Sequence, residues 1–131
     1  MLKVDFSSIV PIYLQIAEGI EDDIIRGDLK EGDQAYSQLI ISRELGVNPA
    51  TAAKGINVLV QKGILEKQRG LSMVVAVGAR ERLLTEKREK NIHSQAKELV
   101  RQARKVGMNK QAVIRLIEEI FDNGEGMKGN E

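Results

Sequence analysis

The side chains of this chain that are best suited to chemistry are hydroxyls and cations that could bind a polyanion. Thr51 and Lys54 lie in a stretch with helical periodicity, and Lys67, Arg69 and Ser72 follow it closely. Hydroxyl, ammonium and guanidinium groups donate hydrogen bonds to phosphate oxygens and to base edges in the grooves of a duplex. These residue types indicate contact with a nucleic acid rather than a reaction.

The distribution of charge agrees with this interpretation, although the net charge is only +1. Residues 43–110 hold 15 basic and 6 acidic side chains, whereas residues 1–42 hold 3 basic and 8 acidic ones. A basic middle section is typical of a surface that faces a polyanion. A solvated charged helix is the alternative, since 9 of those 15 basic residues lie between Arg80 and Lys105.

The sequence contains no recognisable catalytic or metal-binding motif. It has no cysteine, which excludes disulfides, thiolate metal sites and cysteine nucleophiles. His93 is the one histidine, and we expect it to be exposed on a helix. We therefore expect no enzymatic activity, no cofactor and no metal. No apolar run approaches the roughly 18 residues of a membrane span, so we expect a cytoplasmic protein with no membrane partner.

The stretch from Val47 to Lys62 is predicted to form the helix that positions Thr51 and Lys54. Asn48 is a suitable N-cap, and Pro49 fits the first helical position. The inward residues are Ala52, Ile56, Leu59 and Val60, and the outward ones are Ala50, Thr51, Lys54 and Asn57. Such a helix can enter a DNA groove, although an ordinary amphipathic helix has the same pattern.

A second short helix is predicted immediately before this one. Ser37 can cap a helix from about Gln38 to Leu45, and Gly46 can end it. Because only Gly46 and Val47 precede the cap of the next helix, the pair resembles a helix-turn-helix. Any tight helical hairpin would have the same spacing.

A β-hairpin is predicted after the helix pair. Residues 64–68 and 73–77 have the composition of two strands, and residues 69–72 can form the turn. A hairpin in this place is the wing of a winged helix-turn-helix, which could meet phosphate or a minor groove. An edge hairpin with incidental charges is the alternative. The residues at its tip are Lys67, Arg69, Gly70 and Ser72.

The N-terminal part is predicted to support these elements. Residues 1–8 are expected to be extended or loose, and Pro11 opens a helix that runs to about Arg26. Leu29 is the expected anchor of the connector that follows. The buried stripe of the helix is predicted to be Tyr13, Ile16, Ala17, Ile20 and Ile24, with Glu18, Glu21, Asp22 and Asp23 mostly on its surface.

The C-terminal part is predicted to be helical. One charged stretch runs from Ala79 to about Val106, and its first part is expected to bridge solvent. Asn109 can cap a last helix that runs to Phe121. Because their apolar stripes are one-sided, we expect these helices to form a C2 dimer; folding back on the winged domain is the alternative. The expected dimer contacts are Leu99, Ala103, Val113, Leu116, Ile117 and Ile120.

The expected fold class is therefore mostly α with a small β-hairpin. Residues 1–77 are predicted to form a winged helix-turn-helix DNA-binding domain. Residues 78–131 are predicted to form a two-helix C-terminal dimerisation region, with a disordered tail from about residue 123.

Four segments resemble the GntR family of bacterial transcription regulators. The Asn48-Pro49 pair and the short C-terminal region resemble its YtrA subfamily. The resemblance implies a homodimeric repressor on an inverted-repeat operator of double-stranded DNA, often beside transporter genes, with an unknown effector ligand. The segments are P-I-Y-L-Q-I-A-E-G-I-E-D-D-I-I-R-G-D-L-K-E-G-D (Pro11–Asp33), L-G-V-N-P-A-T (Leu45–Thr51), L-V-Q-K-G-I-L (Leu59–Leu65) and Q-R-G (Gln68–Gly70).

Individual residues carry this resemblance only in part. Thr51 matches a threonine of the family's recognition helix that typically meets a phosphate. Lys54 matches a basic position of the subfamily, and Gly70 matches the glycine of the wing. Leu39 replaces an arginine that normally reaches DNA, which predicts a different operator or a modest affinity. The predicted DNA contacts are Ser37, Gln38, Asn48, Ala50, Thr51, Lys54, Lys67, Arg69, Gly70 and Ser72.

The alternative function is a winged helix that serves as a protein–protein interaction adaptor. An adaptor would explain the missing arginine and the balanced net charge. It would not explain why Thr51, Lys54, Lys67 and Arg69 occupy the positions that a DNA reader needs. Steeply salt-dependent binding to DNA would separate the two functions.

Overall fold

The computed structural model describes residues 2–70 and 72–124. The chain divides into two compact units, Met1–Glu86 and Lys87–Glu131, and it is mostly helical with one β-hairpin, as predicted. The first unit contains α1 (Ile12–Arg26), α2 (Gln38–Leu45), α3 (Pro49–Gln61), β1 (Leu65–Lys67), β2 (Met73–Val75) and α4 (Ala79–Glu86). The second contains a π-helical segment (Lys87–Ile92), α5 (His93–Lys105) and α6 (Lys110–Asn123).

The boundaries of the helix-turn-helix follow its capping residues. Ser37 Oγ accepts a hydrogen bond from the Ile40 N–H at 3.1 Å, and Gly46 ends α2 in the left-handed conformation. Asn48 Oδ1 accepts from the Ala50 N–H at 2.8 Å and caps α3. These bonds satisfy amides that the first turn of a helix leaves free. The predicted helix pair is confirmed.

An aliphatic core holds α1 against α3. The two helices approach closely at Gly55, where a Cβ atom would lie 2.9 Å from the Tyr13 carbonyl oxygen and 3.0 Å from Ile16 Cγ2. Only a glycine leaves room for this approach. The largest fully buried aliphatic side chains of the unit are Ile16, Ile20, Ile24, Ile41, Leu59, Ile64, Leu65, Val74, Val75 and Leu83.

The hairpin is shorter than predicted, and the chain before α2 extends it. β1 pairs antiparallel with β2, with Glu66 opposite Val74. Gln34 forms a further antiparallel bridge to Val74. The second strand ends at Val75 rather than Val77, which is exposed. The wing is thereby anchored at its base.

The first residues, which were expected to be extended or loose, form no helix or strand, but contacts with α1 hold them in place. Leu2 is buried against Gly19. Gln15 Oε1 accepts from the Asp5 N–H at 2.7 Å, and Gln15 Nε2 donates to the Val10 carbonyl at 2.8 Å. The contacts of Leu2 and Asp5 join residues ten or more positions apart, so the local sequence pattern does not reveal them.

Two acids that were expected on the surface of α1 are buried. Asp23 is 2% exposed and Glu21 is 6% exposed. Asp23 accepts hydrogen bonds from the Tyr36 hydroxyl at 2.6 Å and from Arg26, and Glu21 Oε2 lies 2.6 Å from Lys62 Nζ. Buried carboxylates require such partners. The prediction failed because two of these partners, Tyr36 and Lys62, come from outside α1.

α4 packs against α1 within the first unit. The expectation that this part of the chain bridges solvent was wrong for α4. Ala79 and Leu83 are buried in the core, and Arg80 Nε donates to the Ile25 carbonyl of α1 at 2.9 Å. Because most residues around these two apolar positions are charged, the sequence pattern did not predict that they are buried. The first compact unit consequently reaches Glu86, past the predicted domain boundary at residue 77.

The second unit begins with the π-helical segment, which divides the helical stretch predicted from Ala79 to about Val106. In α5, Arg101 donates two hydrogen bonds to Glu98 at 2.5 and 2.9 Å. The bonds from Arg101, with a further one from Gln102, lower the pKa of Glu98 to about 2. This pair neutralises part of the positive charge of the helix.

α6 begins where the sequence predicted and ends slightly later. Asn109 Oδ1 accepts from the Ala112 N–H at 2.9 Å, and the helix continues to Asn123 instead of ending at Phe121. The predicted disordered tail falls mainly on residues 125–131, which lie outside the described residues. No helix in the described part of the chain combines the length and the apolar character that crossing a membrane requires.

Candidate nucleic-acid interface

α3 turns one face away from the core, and this face carries several predicted contacts. Ala50, Lys54 and Asn57 are exposed, and Thr51 is half-buried. The helix contains no acidic residue. Its N-terminus also points the positive end of the helix dipole outward, which favours an anion. The face can therefore approach a polyanion without repulsion from α3 itself.

One flank of α3 forms a groove with the start of α2 and the wing, which we call the wing groove. It has a volume of about 450 Å³. All its polar side chains can donate hydrogen bonds, and its apolar lining residues are Ala53, Ile56 and Met73. The structure thus brings together four predicted contacts, Ser37, Gln38, Lys67 and Ser72, and adds Asn57.

The other flank of α3 forms a second groove with the start of α1 and with the N-terminal arm, the segment of residues 2–10 before α1. We call this second groove the arm groove. It has a volume of about 430 Å³ and contains Asn48, Thr51 and Lys54 together with Phe6 and Tyr13. Lys54 Nζ lies 4.2 Å from the centroid of the Tyr13 ring. An ammonium group over an aromatic face is attracted by the ring quadrupole. The predicted lysine contact is therefore held in place by α1.

Two of the four predicted contacts at the tip of the wing, Arg69 and Gly70, line neither groove. Arg69 and Gly70 are both exposed. Gly70 has φ 78°, and the space around its Cα is open. The glycine is thus explained by the left-handed turn rather than by crowding, since other residues adopt this conformation with strain. The turn places a guanidinium group beyond the end of the two strands.

The start of α2 is anchored to α1 through Tyr36. Its hydroxyl donates to Asp23 Oδ2 at 2.6 Å. Burial and this hydrogen bond raise the pKa of Tyr36 to about 12. The next residue, Ser37, uses its oxygen to cap α2, and its hydroxyl hydrogen can still be donated to a phosphate. Leu39 is 65% exposed and can make only apolar contacts.

The C-terminal end of α3 is held by side chains from two other helices. Lys62 Nζ lies 2.6 Å from Glu21 Oε2 and 3.1 Å from Glu86 Oε1. Partial burial lowers the pKa of Lys62, but the hydrogen bonds to the two glutamates outweigh it and raise the pKa overall. Arg82 Nη2 donates to the Gly63 carbonyl at 2.6 Å. The C-terminal end of α3 is thus fixed to α1 and α4.

The residues predicted for dimerisation all lie in the second unit. Ala103 is buried, Leu99 and Val113 are half-buried, and three residues of α6 are 36–39% exposed. An apolar row is therefore accessible on α6, but a role in a dimer stays a prediction. The three residues on α6 are Leu116, Ile117 and Ile120.

Several residues of the interface were missed by sequence reasoning. Asn57 was placed on the outward face of α3 but was not predicted as a contact. Tyr13 was assigned to the core, and Phe6 to a loose segment. The pattern D-x-S at Asp5 was the available signal for an ordered arm, because Asp5 Oδ1 accepts from the N–H of Ser7 at 2.9 Å.

The remaining titratable residues form no metal-binding arrangement in the described part of the chain. Within residues 2–70 and 72–124, no three histidine, aspartate or glutamate side chains lie close enough together to hold a metal ion. His93 is exposed on α5, as expected.

Three known proteins are similar to this chain. The HTH-type transcriptional repressor YtrA of Bacillus subtilis (strain 168) is 29% identical over 131 residues, covering 100% of both chains. YtrA from Sulfolobus acidocaldarius is a GntR-family transcription factor of solved structure, and it is 37% identical to this chain. The two structures match with a TM-score of 0.56, over 64% of this chain and 88% of that chain. A transcriptional regulator from Oenococcus oeni shares the fold, with a TM-score of 0.78 over 90% of this chain and 97% of that chain, at 17% identity. No family model matches the chain.

These relatives are transcription regulators, so neither catalysis nor an adaptor role finds support among them. The Sulfolobus protein shares enough sequence over most of its length to establish the family. The similarity to the Bacillus protein extends to the C-terminal helices. Together with the helix-turn-helix and its wing, these similarities lead to one conclusion: the chain belongs to the GntR family of helix-turn-helix transcription regulators and is of the YtrA type.

Proposed function

We propose that this chain binds a specific double-stranded DNA sequence as a homodimer and represses transcription from an inverted-repeat operator. The observation that carries the proposal is the outward face of α3, which has no acid and lies between two grooves lined by predicted contacts. Donors and cations on such a face match phosphates and base edges. The name of the Bacillus relative, a repressor, supports repression.

The docking that fits these residues places α3 in the major groove. Thr51 then donates its hydroxyl hydrogen to a phosphate, and the Lys54 ammonium reaches an acceptor on a base edge, for which guanine O6 and N7 are the usual partners. Lys67 and Arg69 on the wing meet the phosphates or the minor groove beside α3. The wing contacts set affinity, and Lys54 contributes to specificity.

Leu39 changes what α2 contributes to this interface. A leucine at the exposed start of α2 cannot donate the charge-assisted hydrogen bonds of an arginine. Its side chain can contact only apolar groups, such as a thymine methyl. We therefore propose an operator in which guanine is not selected at the position facing Leu39.

The homodimer is proposed to form through the second unit. Leu116, Ile117 and Ile120 leave an accessible apolar row on α6, and burying such a row against a second copy is favourable. A C2 dimer presents two copies of α3 to two half-sites, which is why the operator is proposed to be an inverted repeat. An effector ligand, a transporter operon as target and a cytoplasmic location remain predictions from the sequence and its family resemblance.

The experiment that tests this function is selection of random duplex DNA by the purified protein, with sequencing at two salt concentrations. We expect an enriched inverted repeat and a steep loss of affinity at the higher salt, because cations that neutralise phosphates release counterions. As a control, we use the Lys67→Ala, Arg69→Ala variant. It should weaken binding to all sequences and flatten the salt dependence without changing the enriched motif.

Two results would contradict the proposal. If the protein binds DNA but enriches no motif, the proposal of sequence-specific recognition is wrong. An enriched single half-site without symmetry would retain recognition but remove the homodimer on an inverted repeat. Repression is checked separately with a reporter gene that carries the enriched motif, whose expression should fall when the protein is present.

A further inference from the structure

We propose that Tyr13 is a positioning residue for base recognition, because its ring holds the Lys54 ammonium where that group reads one acceptor base of the operator. The inference rests on the proposed function and deepens it. Its starting point is the distance of 4.2 Å between Lys54 Nζ and the centroid of the Tyr13 ring. Both residues line the arm groove beside Thr51.

The packing of α1 on α3 creates this contact. Gly55 follows Lys54 directly, and a Cβ atom there would lie 2.9 Å from the Tyr13 carbonyl oxygen. The missing side chain lets the first turn of α1 lie against α3 beside Lys54. The ring therefore meets the lysine because the backbones approach closely, and not through a long flexible reach from a loop.

A free lysine side chain is a poor reader of bases because it is flexible. Ordering it on DNA removes rotamer entropy, which is among the largest of any side chain. A lysine already seated on an aromatic ring loses part of this freedom before DNA arrives. Its ammonium group then approaches the duplex from one direction, which favours one base position over its neighbours.

An aromatic ring suits this role better than a carboxylate would. A carboxylate would accept a hydrogen bond from the ammonium group and cancel the charge that attracts DNA. The face of the Tyr13 ring attracts the cation without neutralising it. The ammonium group has three donors, and those turned away from the ring stay available for a guanine O6 or N7.

The test is the same random-DNA selection applied to matched variants. Tyr13→Phe keeps the ring, so it should enrich the wild-type motif with unchanged base preference. Tyr13→Leu removes the ring and should lose preference at one position of each half-site, with affinity reduced about two- to fivefold, the factor expected from an exposed cation–π contact. Lys54→Ala should lose preference at that same position.

Two controls separate positioning from folding and from charge. In a Lys54→Ala background, Tyr13→Leu should change the base preference no further, because the residue acts through the lysine. Lys67→Ala, a lysine on the wing, should lower affinity without changing preference at any position. Thermal unfolding of each variant establishes that it is folded in the assay.

A measurement without DNA checks the contact itself. The ring current of Tyr13 should shift the ε-methylene protons of Lys54 in the NMR spectrum of the free protein. The shift should persist in Tyr13→Phe and disappear in Tyr13→Leu. Absence of the shift in the wild type would overturn the inference and leave the proposed function untouched.

The selection has two contrary outcomes. An unchanged motif for Tyr13→Leu, or a loss at a position different from that of Lys54→Ala, would overturn the positioning role alone. If the wild type itself enriches no motif, the proposed function fails and this inference fails with it. The two failures are distinguishable because the wild-type arm is measured in the same experiment.

Discussion

Asp23 and Tyr36 connect a buried carboxylate of α1 to the start of α2. The carboxylate lies inside the first unit, where the Tyr36 hydroxyl and Arg26 satisfy it. Tyr36 immediately precedes Ser37, the cap of α2. A hydrogen bond of 2.6 Å thus ties the segment from which α2 begins to α1. A hydrogen bond to a charged group in such a place contributes more than a bond between neutral groups.

Tyr36→Phe should destabilise the protein by roughly 1.5–3 kcal/mol, because it leaves a buried carboxylate with one partner fewer. Denaturant unfolding measures the change. Tyr13→Phe is the matched control, since no hydrogen bond of the Tyr13 hydroxyl occurs among the described residues. It should alter stability by less than about 0.5 kcal/mol. Equal losses of stability in the two variants would show that the hydrogen bond from Tyr36 to Asp23 does not stabilise the protein.

The same residue predicts a pH dependence. The pKa of Tyr36 is raised by burial and by the hydrogen bond to Asp23, from its ordinary value of 10.0 to about 12. The folded protein therefore holds the proton more tightly than the unfolded chain does. The resulting stability is complete below about pH 10 and is lost as the pH rises towards 12. Unfolding free energy should fall more over this range in the wild type than in Tyr36→Phe.

At the scale of elements, the closeness of α1 and α3 depends on Gly55. The two helices contribute Ile16, Ile20, Ile24 and Leu59 to the buried core. Their backbones meet where Gly55 faces Tyr13 and Ile16. A glycine within a helix is unfavourable by roughly 0.5–1 kcal/mol relative to alanine. Here that penalty is outweighed by the packing it permits.

Gly55→Ala should destabilise the protein by about 1–3 kcal/mol despite its better helix propensity, because the new Cβ meets backbone. Gly19→Ala is the matched change in α1. Its Cβ would meet Leu2 Cδ2, the end of a flexible side chain that can turn aside. We expect this variant to be close to neutral. Thermal unfolding measures the stability of both variants. A Gly55→Ala variant more stable than the wild type would contradict the close packing of α1 on α3.

Lys62 is the second element-scale connection, because it joins the end of α3 to α1 and α4. Its partner Glu21 is buried, whereas Glu86 is about one-third exposed. Removing the lysine leaves a buried carboxylate without its cation. Lys62→Met should therefore destabilise by roughly 1–3 kcal/mol, and Glu86→Gln by less than about 1 kcal/mol. Denaturant titration would contradict this ranking if Glu86→Gln proved the more harmful variant.

At the scale of the whole molecule, the two surfaces on which the proposed function rests lie in different units. The α3 face and the wing hold exposed cations and donors, and the second unit holds an accessible apolar row on α6. The proposed homodimer uses the first surface for the duplex and the second for the other copy. The net charge of +1 does not reveal this division.

Leu116→Asp should shift the protein towards monomer in sedimentation velocity, because a charge in an apolar contact is desolvated without a partner. Gln111→Asp is the matched control, since it adds the same charge at an exposed position of the same helix. It should leave the sedimentation coefficient unchanged. A Leu116→Asp variant that stays dimeric would place the interface elsewhere.

Local sequence signals determined most of the elements in this protein. Ser37, Gly46, Asn48 and Asn109 set helix ends through bonds to nearby backbone groups. Such bonds span only a few residues, so the types and spacing of the residues suffice to predict them. The resemblance to a family, carried by Pro11–Asp33 and three shorter segments, then gave the function class that the comparisons support.

Only the tertiary structure decided which side chains meet across elements. It buried Asp23 and Glu21, packed α4 on the first unit, held the N-terminal arm on α1 and placed Tyr13 beside Lys54. Each of these contacts joins residues far apart in sequence. Helical periodicity gives the face on which a residue lies, but it does not give the partner that the fold brings to that face.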